Sequence, residues 1–284
     1  MGYGDDLLIT SFASKIKKKY PERQIVIGNA TKKQAYHSIV YENNPNISDC
    51  RNLDTNKPIH IINYHPGNRP YIDYKKSNDL TYVWNENFQP IAGEIYFSSE
   101  ERIQAKKILE KAKIFWNKFK EKKYKKIIFL ETSSTKINDK QFNIKHINKD
   151  WGYTNWVRLI NTLKNDFLII HSVHEKTKEI RGVFAPKNID FRLACAIMNE
   201  CDVYVGPEGG FGHVAAALKK KAVLYFGGWI TPNAIGYDYH ENIYYDHIKS
   251  PCGEYKKICD HCAEARKKIT VQIFKEKIIK AISN

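Results

Sequence analysis

The sequence has no uninterrupted apolar stretch of the roughly 18 residues that a membrane-spanning helix needs. Met1 is not followed by a basic segment and an apolar leader. The sequence also lacks the dense cysteine spacing of a secreted disulfide scaffold, because its 6 cysteines are spread over 284 residues. We therefore expect a cytoplasmic protein with reduced thiols.

The composition is that of a globular protein. Hydrophobic residues make up 42% of the chain and aromatic residues 13%, which excludes the disordered class. A chain of 284 residues can bury a sizeable core, and this length favours about two domains.

The net charge is strongly positive, at +15, and it comes mainly from lysines scattered in short runs. A clustered patch of arginines and aromatic residues, which would indicate nucleic-acid binding, is missing, so we expect no nucleic-acid partner. The lysines indicate a solvated surface. The alternative is attraction to an anionic membrane surface, which would place the protein peripherally on the inner face of the membrane, or to a phosphorylated substrate.

Apolar periodicity predicts alternating helices and strands. A helix around Leu8, Phe12 and Ile16 precedes a strand at Gln24 to Gly28, and a helix from Ser98 to about Lys122 is capped by Ser98 or Ser99. Further strands are expected at 59–62, 127–130, 167–170, 203–205 and 223–226, and further helices at 156–163, 191–198, 212–218 and 271–282. The alternation in the second half predicts a doubly wound parallel α/β sheet.

The strongest local motif runs from Val203 to Leu218, where an apolar strand ends in a glycine-rich turn and a helix of small residues follows. Backbone amides at such a helix N-terminus favour phosphate, and the glycines let a ligand approach. A plain tight turn would also explain the glycines, but Glu208 and His213 in the same segment favour a binding site.

A second glycine loop, Gly2-Tyr3-Gly4, leads directly into the first helix and carries Asp5 and Asp6. A carboxylate in this position suits a general base that faces an acceptor hydroxyl. The alternative is that Asp5 or Asp6 only caps the helix, and one acid can do both.

These two motifs, in this order, resemble the ADP-heptose glycosyltransferases (heptosyltransferases), glycosyltransferase family 9. Gly4-Asp5 with Thr10 is similar to the family's opening loop, and the segment from Gly206 to Leu218 is similar to its glycine-rich turn. Further similar segments are Lys149-Asp150-Trp151 with Trp156, Phe226-Gly227-Gly228 with Thr231-Pro232, the stretch from Asn63 to Ile72, and Gly93 to Tyr96.

The resemblance implies a GT-B fold, with two Rossmann-like lobes facing a central cleft. The acceptor lobe would span residues 1–120, and the donor lobe, with the last helix, residues 121–284. It also implies inverting, metal-independent transfer of a sugar, heptose or a related one, from a nucleotide donor to a glycan or lipopolysaccharide-type acceptor. Asp5 would be the base. The implied donor-binding residues are Lys149, Glu208, Gly209, Gly210, His213 and Thr231.

The sequence departs from the family pattern in two places. Family members have a strand before the Gly-Asp loop, whereas Met1 stands directly in front of it here, so the first strand is either missing or lies upstream. Glu208-Gly209 replaces the family's Asp followed by Thr or Ser. A non-catalytic protein of this fold, or one that binds or modifies nucleotide sugars, is therefore the alternative function.

Cys252, Cys259 and Cys262 lie close together in the sequence, with Cys-x-x-Cys spacing between the last two. This spacing is typical of metal ligands, but a second such pair is absent, so free thiols are the expectation and a structural metal is the alternative. Relatives that glycosylate proteins are thought to hold iron through such residues. His171 and His174 we interpret as packing or hydrogen-bonding residues.

Overall fold

The computed structural model describes residues 2–132, 148–173, 177–255 and 259–283. In these ranges the helices and strands follow the predicted alternation closely. The described helices include none that is both long enough and apolar enough to cross a membrane.

The helices are α1 (Tyr3–Lys19), α2 (Ser99–Phe119), α3 (Tyr153–Leu163), α4 (Phe191–Asn199), α5 (Gly210–Ala217), α6 (Pro232–Ile235), α7 (Asp260–Lys268) and α8 (Val271–Ser283), with a 3₁₀ turn at Ile39–Tyr41. The strands are β1 (Gln24–Asn29), β2 (Gln34–Ala35), β3 (Ile59–Asn63), β4 (Ile127–Leu130), β5 (Leu168–His171), β6 (Val203–Pro207), β7 (Lys221–Gly227) and β8 (Glu241–Tyr244).

The first lobe has a sheet of three strands in the order β2-β1-β3. Strand β1 is buried along its whole length and pairs in parallel with β3, from Gln24 opposite Ile59 to Gly28 opposite Asn63. The short β2 adds an antiparallel edge. Within the described residues α1 is the first element, and it packs on β1 and on the 3₁₀ turn.

The second lobe has a sheet of five parallel strands in the order β5-β4-β6-β7-β8. The chain runs outward from β4 in both directions, so the strand order reverses between β4 and β6. Open parallel sheets bind ligands at the carboxyl ends of the strands beside such a reversal. The predicted doubly wound sheet is confirmed, and its order identifies this edge as the place for a ligand.

Alternate residues of the second sheet face two hydrophobic cores, as a sheet covered on both sides requires. One face, which includes Phe129, Ile170 and Tyr204, belongs to a core that continues into the first lobe around Leu7 and Ile25. The opposite face packs against α3 and α8 through side chains such as those of Trp156 and Phe274. The last helix therefore packs back onto the body, as predicted.

Arg192, at the start of α4, connects the two lobes. Its guanidinium donates two hydrogen bonds to Glu101 of α2, and others to the carbonyls of Ile39 at 2.8 Å and Tyr96 at 2.6 Å. Bidentate arginine–carboxylate pairs are geometrically specific. The pair therefore fixes α2 against α4, although the predicted boundary near residue 120 assigns α2 to the first lobe.

Candidate functional site

A cavity of about 470 Å³ opens at the carboxyl ends of β4 and β6. This volume is typical of small-molecule sites. Both lobes contribute to its wall. The predicted residues that line it are Asp5, Lys149, Glu208, Gly209, Gly210 and His213. Six residues from three distant segments of the sequence therefore meet at one cavity.

The glycine-rich turn presents the open N-terminus of α5 to this cavity. The helix begins at Gly210, two residues before the predicted start, and its N-cap Gly209 provides no side-chain hydrogen bond. A Cβ atom on Gly209 would meet nothing within 4 Å. The space beside Gly209 is therefore open and no side chain caps the helix, as an anion site at a helix N-terminus requires.

The N-terminus of α1 meets that of α5 across the cleft. Its N-cap, Gly2, also lacks a side-chain hydrogen bond to the helix. A Cβ atom on Gly4 would lie 3.0 Å from the Cα of Gly210 and 3.1 Å from Cδ2 of His213. A side chain at Gly4 would require a shift of Gly210 or His213. Two helix N-termini therefore meet at one cavity, and that of α5, whose first turn contains no acid, favours a ligand of negative charge.

Asp5 is held by three donors from the first lobe. Tyr64 Oη donates to its Oδ1 at 3.2 Å and Tyr71 Oη at 2.5 Å, while Arg69 Nη2 lies 3.2 Å from Oδ2. Burial, and then the nearby charge of Asp5, raises the pKa of both tyrosines, so both remain protonated donors. A carboxylate accepts about four hydrogen bonds, which leaves Asp5 roughly one free position.

Lys149 and Glu208 form an ion pair on the donor-lobe side of the cavity. Their side chains are only 17% and 7% exposed, and the Lys149 ammonium lies 4.9 Å from the centre of the Trp229 ring. The resemblance implied that both residues bind the donor. Each one neutralises the other, so a ligand anion must compete with Glu208 for Lys149.

His213 brings no positive charge to the cavity at neutral pH. Its Nδ1 pairs with Tyr237 Oη at 2.9 Å, and burial lowers the pKa of the imidazole. The side chain acts here as a neutral wall and hydrogen-bonding group beside Gly4.

Comparisons with known proteins show which solved structures have a similar fold. No family model matches the sequence, and no curated protein matches it. A family 9 glycosyl transferase from Veillonella parvula DSM 2008 superposes with a TM-score of 0.59 over 99% of this chain and 94% of that chain, at 14% identity. The iron-containing dodecameric glycosyltransferase TibC from enterotoxigenic E. coli H10407 gives a TM-score of 0.61 over 100% of this chain and 76% of that chain, at 14% identity.

The chain has the GT-B glycosyltransferase fold. The predicted likeness to family 9 structures is confirmed in the architecture, over nearly the whole chain. In this GT-B chain the cavity lies in the cleft between the lobes, and Asp5 of the first lobe and the N-terminus of α5 both line it.

Thr231 does not line the cavity. It is the N-cap of α6, and its hydroxyl accepts a hydrogen bond from the amide of Asn233 at 3.2 Å. Its neighbours Trp229 and Ile230 line the cavity instead. Thr231 therefore fixes the turn that presents the Trp229 ring to Lys149.

The three cysteines come together as one cluster outside the cavity. Their Sγ atoms all lie within 4.8 Å of one another, and those of Cys252 and Cys262 are 3.2 Å apart. The hydrogen bond from Cys262 lowers the pKa of Cys252 to about 7, which favours a thiolate. Three sulfur ligands at these distances fit a thiophilic metal ion.

The cysteine segment also supports the cavity wall. Asn148, next to Lys149 in the chain, donates to the carbonyl of Glu254 at 2.9 Å and accepts from the amide of Cys259 at 2.9 Å. Trp229 Nε1 donates to the same carbonyl at 2.7 Å. The positions of Lys149 and Trp229 therefore depend on the loop that carries the cysteines.

Sequence reasoning missed several cavity residues, above all Glu131, Arg69 and Tyr71. Glu131 directly follows β4, and an acid at the carboxyl end of a predicted strand is a usable signal. Arg69 and Tyr71 lie in the segment from Asn63 to Ile72 that carries part of the resemblance. His171 is hydrogen-bonded to Thr132 Oγ1 at 3.1 Å, as interpreted, and His174 lies outside the described residues.

Proposed function

We propose that this protein is an inverting glycosyltransferase that moves a sugar, heptose or a related one, from a nucleoside diphosphate to a hydroxyl of a glycan or lipopolysaccharide-type acceptor. The observation that carries the proposal is that Asp5, the N-terminus of α5 and Lys149 all line one cavity. A base and an anion site in one cavity of this size can bind the acceptor hydroxyl and the donor diphosphate together.

In the proposed reaction Asp5 takes the proton of the acceptor hydroxyl as its oxygen attacks the anomeric carbon. The bond between that carbon and the phosphate oxygen breaks, and the nucleoside diphosphate leaves with the electron pair. Amides at Gly209 and Gly210, the dipole of α5 and Lys149 stabilise the charge that develops on the leaving group. These groups take the role that a metal ion would otherwise have.

Donor binding rearranges the Lys149–Glu208 pair. The diphosphate attracts the ammonium, and Glu208 becomes free to accept hydrogen bonds from hydroxyls of the donor sugar. Glu208 lies at the carboxyl end of β6, next to Gly209, so both contacts are made from one turn.

The test is a transfer assay with ADP-, UDP-, GDP- and CDP-linked sugars and a set of neutral and phosphorylated glycan acceptors. We expect release of nucleoside diphosphate that depends on the acceptor, with inverted anomeric configuration of the product by proton NMR. Release that does not depend on any acceptor would indicate a hydrolase. Product with retained configuration would contradict the role of Asp5.

A nucleotide-sugar-binding protein without transfer activity is the second candidate. The observation that favours it is the pairing of Asp5 with Arg69 and two tyrosines, which leaves little free acceptor capacity. Binding of a nucleotide sugar without turnover on any acceptor of the set would support this candidate.

We further propose that Cys252, Cys259 and Cys262 hold one structural metal ion. Sulfur ligands select zinc or iron, and none of the three cysteines lines the cavity, so the ion would support the loop behind Lys149 and take no part in transfer. The iron-containing structural neighbour is consistent with this assignment. Elemental analysis should give about one metal ion per chain, lost in Cys262→Ser; a metal-free, fully folded wild type would contradict it.

A further inference from the structure

Glu131 is a buried carboxyl group at the floor of the cavity. It follows β4 at the reversal of strand order, and the residue is only 8% exposed although it lines the cavity. Tyr204 Oη, from the neighbouring β6, donates a hydrogen bond to Glu131 Oε2 at 2.9 Å. One oxygen of the carboxyl group therefore has a fixed donor inside the protein.

Among the described residues, the charges that act on Glu131 are the ammonium of Lys149 and the carboxylate of Glu208, and these two already pair with each other. A nucleoside diphosphate would add further negative charge to the same cavity. A buried carboxylate without its own cation is unfavourable, and a neutral acid avoids both the burial of charge and the repulsion of phosphate.

We propose that Glu131 binds the donor as a neutral acid, whose O–H donates a hydrogen bond to a phosphate oxygen of the nucleotide sugar. This inference rests on the proposed function, and it makes Glu131 a specificity residue for the diphosphate. Tyr204 holds Oε2 as the acceptor, so the proton is on Oε1. Carboxylic acids kept neutral in apolar sites are known hydrogen-bond donors in enzymes.

The titration of the cavity supports this assignment. Burial raises the pKa of Glu131 to about 8, and the charge of Glu208 adds to the rise, while Tyr204 and Lys149 oppose it. Burial also raises the pKa of Tyr204, so that hydroxyl remains a donor. Thr132, the next residue in the chain, is hydrogen-bonded to His171. His213 adds no positive charge to the cavity, because burial lowers the pKa of its imidazole.

The sign of the pH effect follows from the raised pKa. Glu131 is neutral below about 8 and ionises above it. Donor affinity is therefore highest near pH 7 and falls as the pH rises through about 8. Once most of Glu131 is ionised, the affinity should fall by about tenfold per pH unit. Nucleotide sugars carry a fully ionised diphosphate diester, so the diphosphate itself does not titrate in this range.

The experiment measures the dissociation constants of ADP-, UDP-, GDP- and CDP-linked sugars between pH 6.5 and 9.5 for the wild type, Glu131→Gln and Glu131→Asp. Glutamine keeps both the acceptor for Tyr204 and a donor for phosphate. We expect Glu131→Gln to bind like the wild type at pH 7 and to lose the pH dependence. Binding by the wild type that does not change up to pH 9, or a Glu131→Gln variant tenfold weaker at pH 7 despite an unchanged unfolding temperature, overturns the inference.

A second measurement needs no ligand. The ¹³C resonance of the Glu131 carboxyl group, assigned by its loss in Glu131→Gln, should show a protonated group at pH 7 that ionises near pH 8. An ionised Glu131 at pH 7 overturns this inference and leaves the proposed function standing. If no nucleotide sugar binds the wild type, the proposed function fails, and the assignment of phosphate to Glu131 falls with it.

Discussion

The two helices that meet at the cavity differ in what their first turns carry. The first turn of α1 contains two acids, Asp5 and Asp6, whereas that of α5 contains none. Both begin after a glycine that provides no side-chain cap. The same helix dipole is therefore compensated by the protein's own carboxylates in α1 and left uncompensated in α5.

This difference separates two tasks within one fold. At α1 the positive helix end helps to hold an ionised carboxylate, which is what a base facing an acceptor needs. At α5 the amides remain available, which is what a departing diphosphate needs. The first lobe would thus serve the acceptor and the second lobe the donor diphosphate. Three substitutions test this division.

The largest effect is expected for Asp5→Asn. The amide keeps the size of the side chain but cannot accept the acceptor proton, so turnover should fall by roughly 10² to 10⁴-fold while donor binding persists. Asp6→Asn is the matched control. Asp6 is one residue along α1, is hydrogen-bonded to Ser38 at 2.8 Å, and does not line the cavity. Equal turnover losses in the two variants would remove the base role from Asp5.

The next largest effect is expected for Gly209→Asp, which should raise the stability of the protein and lower its affinity for the donor. Gly209→Asp would place an acid at the N-cap of α5, where its carboxylate can accept hydrogen bonds from amides of the first turn. The free energy of unfolding should rise by roughly 0.5 kcal/mol, while donor affinity falls by roughly 10 to 100-fold. Chemical denaturation and titration calorimetry measure the two changes.

Gly209→Ala is the control for that variant. Its Cβ atom would meet nothing within 4 Å, so the methyl group fills open space and adds no charge. The affinity should remain within a few-fold of the wild type. An equally large loss in the alanine variant would mean that bulk, not charge, governs binding at this turn.

The smallest effect concerns the contact between the two helix ends. Gly4→Ala should lower the free energy of unfolding by about 1 kcal/mol, because its Cβ would lie 3.0 Å from the backbone of Gly210, which would have to shift. Gly2→Ala is the control, since the nearest atom to its Cβ is Asp5 Oδ2 at 4.0 Å. Urea unfolding compares them, and equal stabilities would contradict the close approach.

Much of the fold could be predicted because local signals and tertiary packing agree. The strand Ile127–Leu130 was predicted with its correct bounds from a continuous apolar run. Ser98 or Ser99 was predicted as the cap of α2, and Ser98 has this role, in a capping box with Glu101. The start of α5 was placed too late, because glycines disfavour helix in isolation, whereas the contact with Gly4 fixes them here. The helix Asp260–Lys268 is too polar to show a clear apolar stripe, and was missed.

The site was predictable only where one segment carried a motif. Asp5, Lys149, Glu208 and His213 each belong to a recognisable stretch, and the fold brings them to one cavity. The partners that set their chemistry come from elsewhere in the chain: Arg69 and Tyr71 for Asp5, and Tyr204 for Glu131. Such pairs depend on long-range packing, which periodicity does not encode.

The most direct test of the account is thermal unfolding of the purified protein in the presence of nucleoside diphosphates and their sugars. A nucleotide at 100 times its dissociation constant should stabilise the fold by about 2.7 kcal/mol. We predict selective stabilisation by one nucleotide, lost in Gly209→Asp. A folded protein that no nucleotide stabilises would contradict the claim that the N-terminus of α5 forms a diphosphate site.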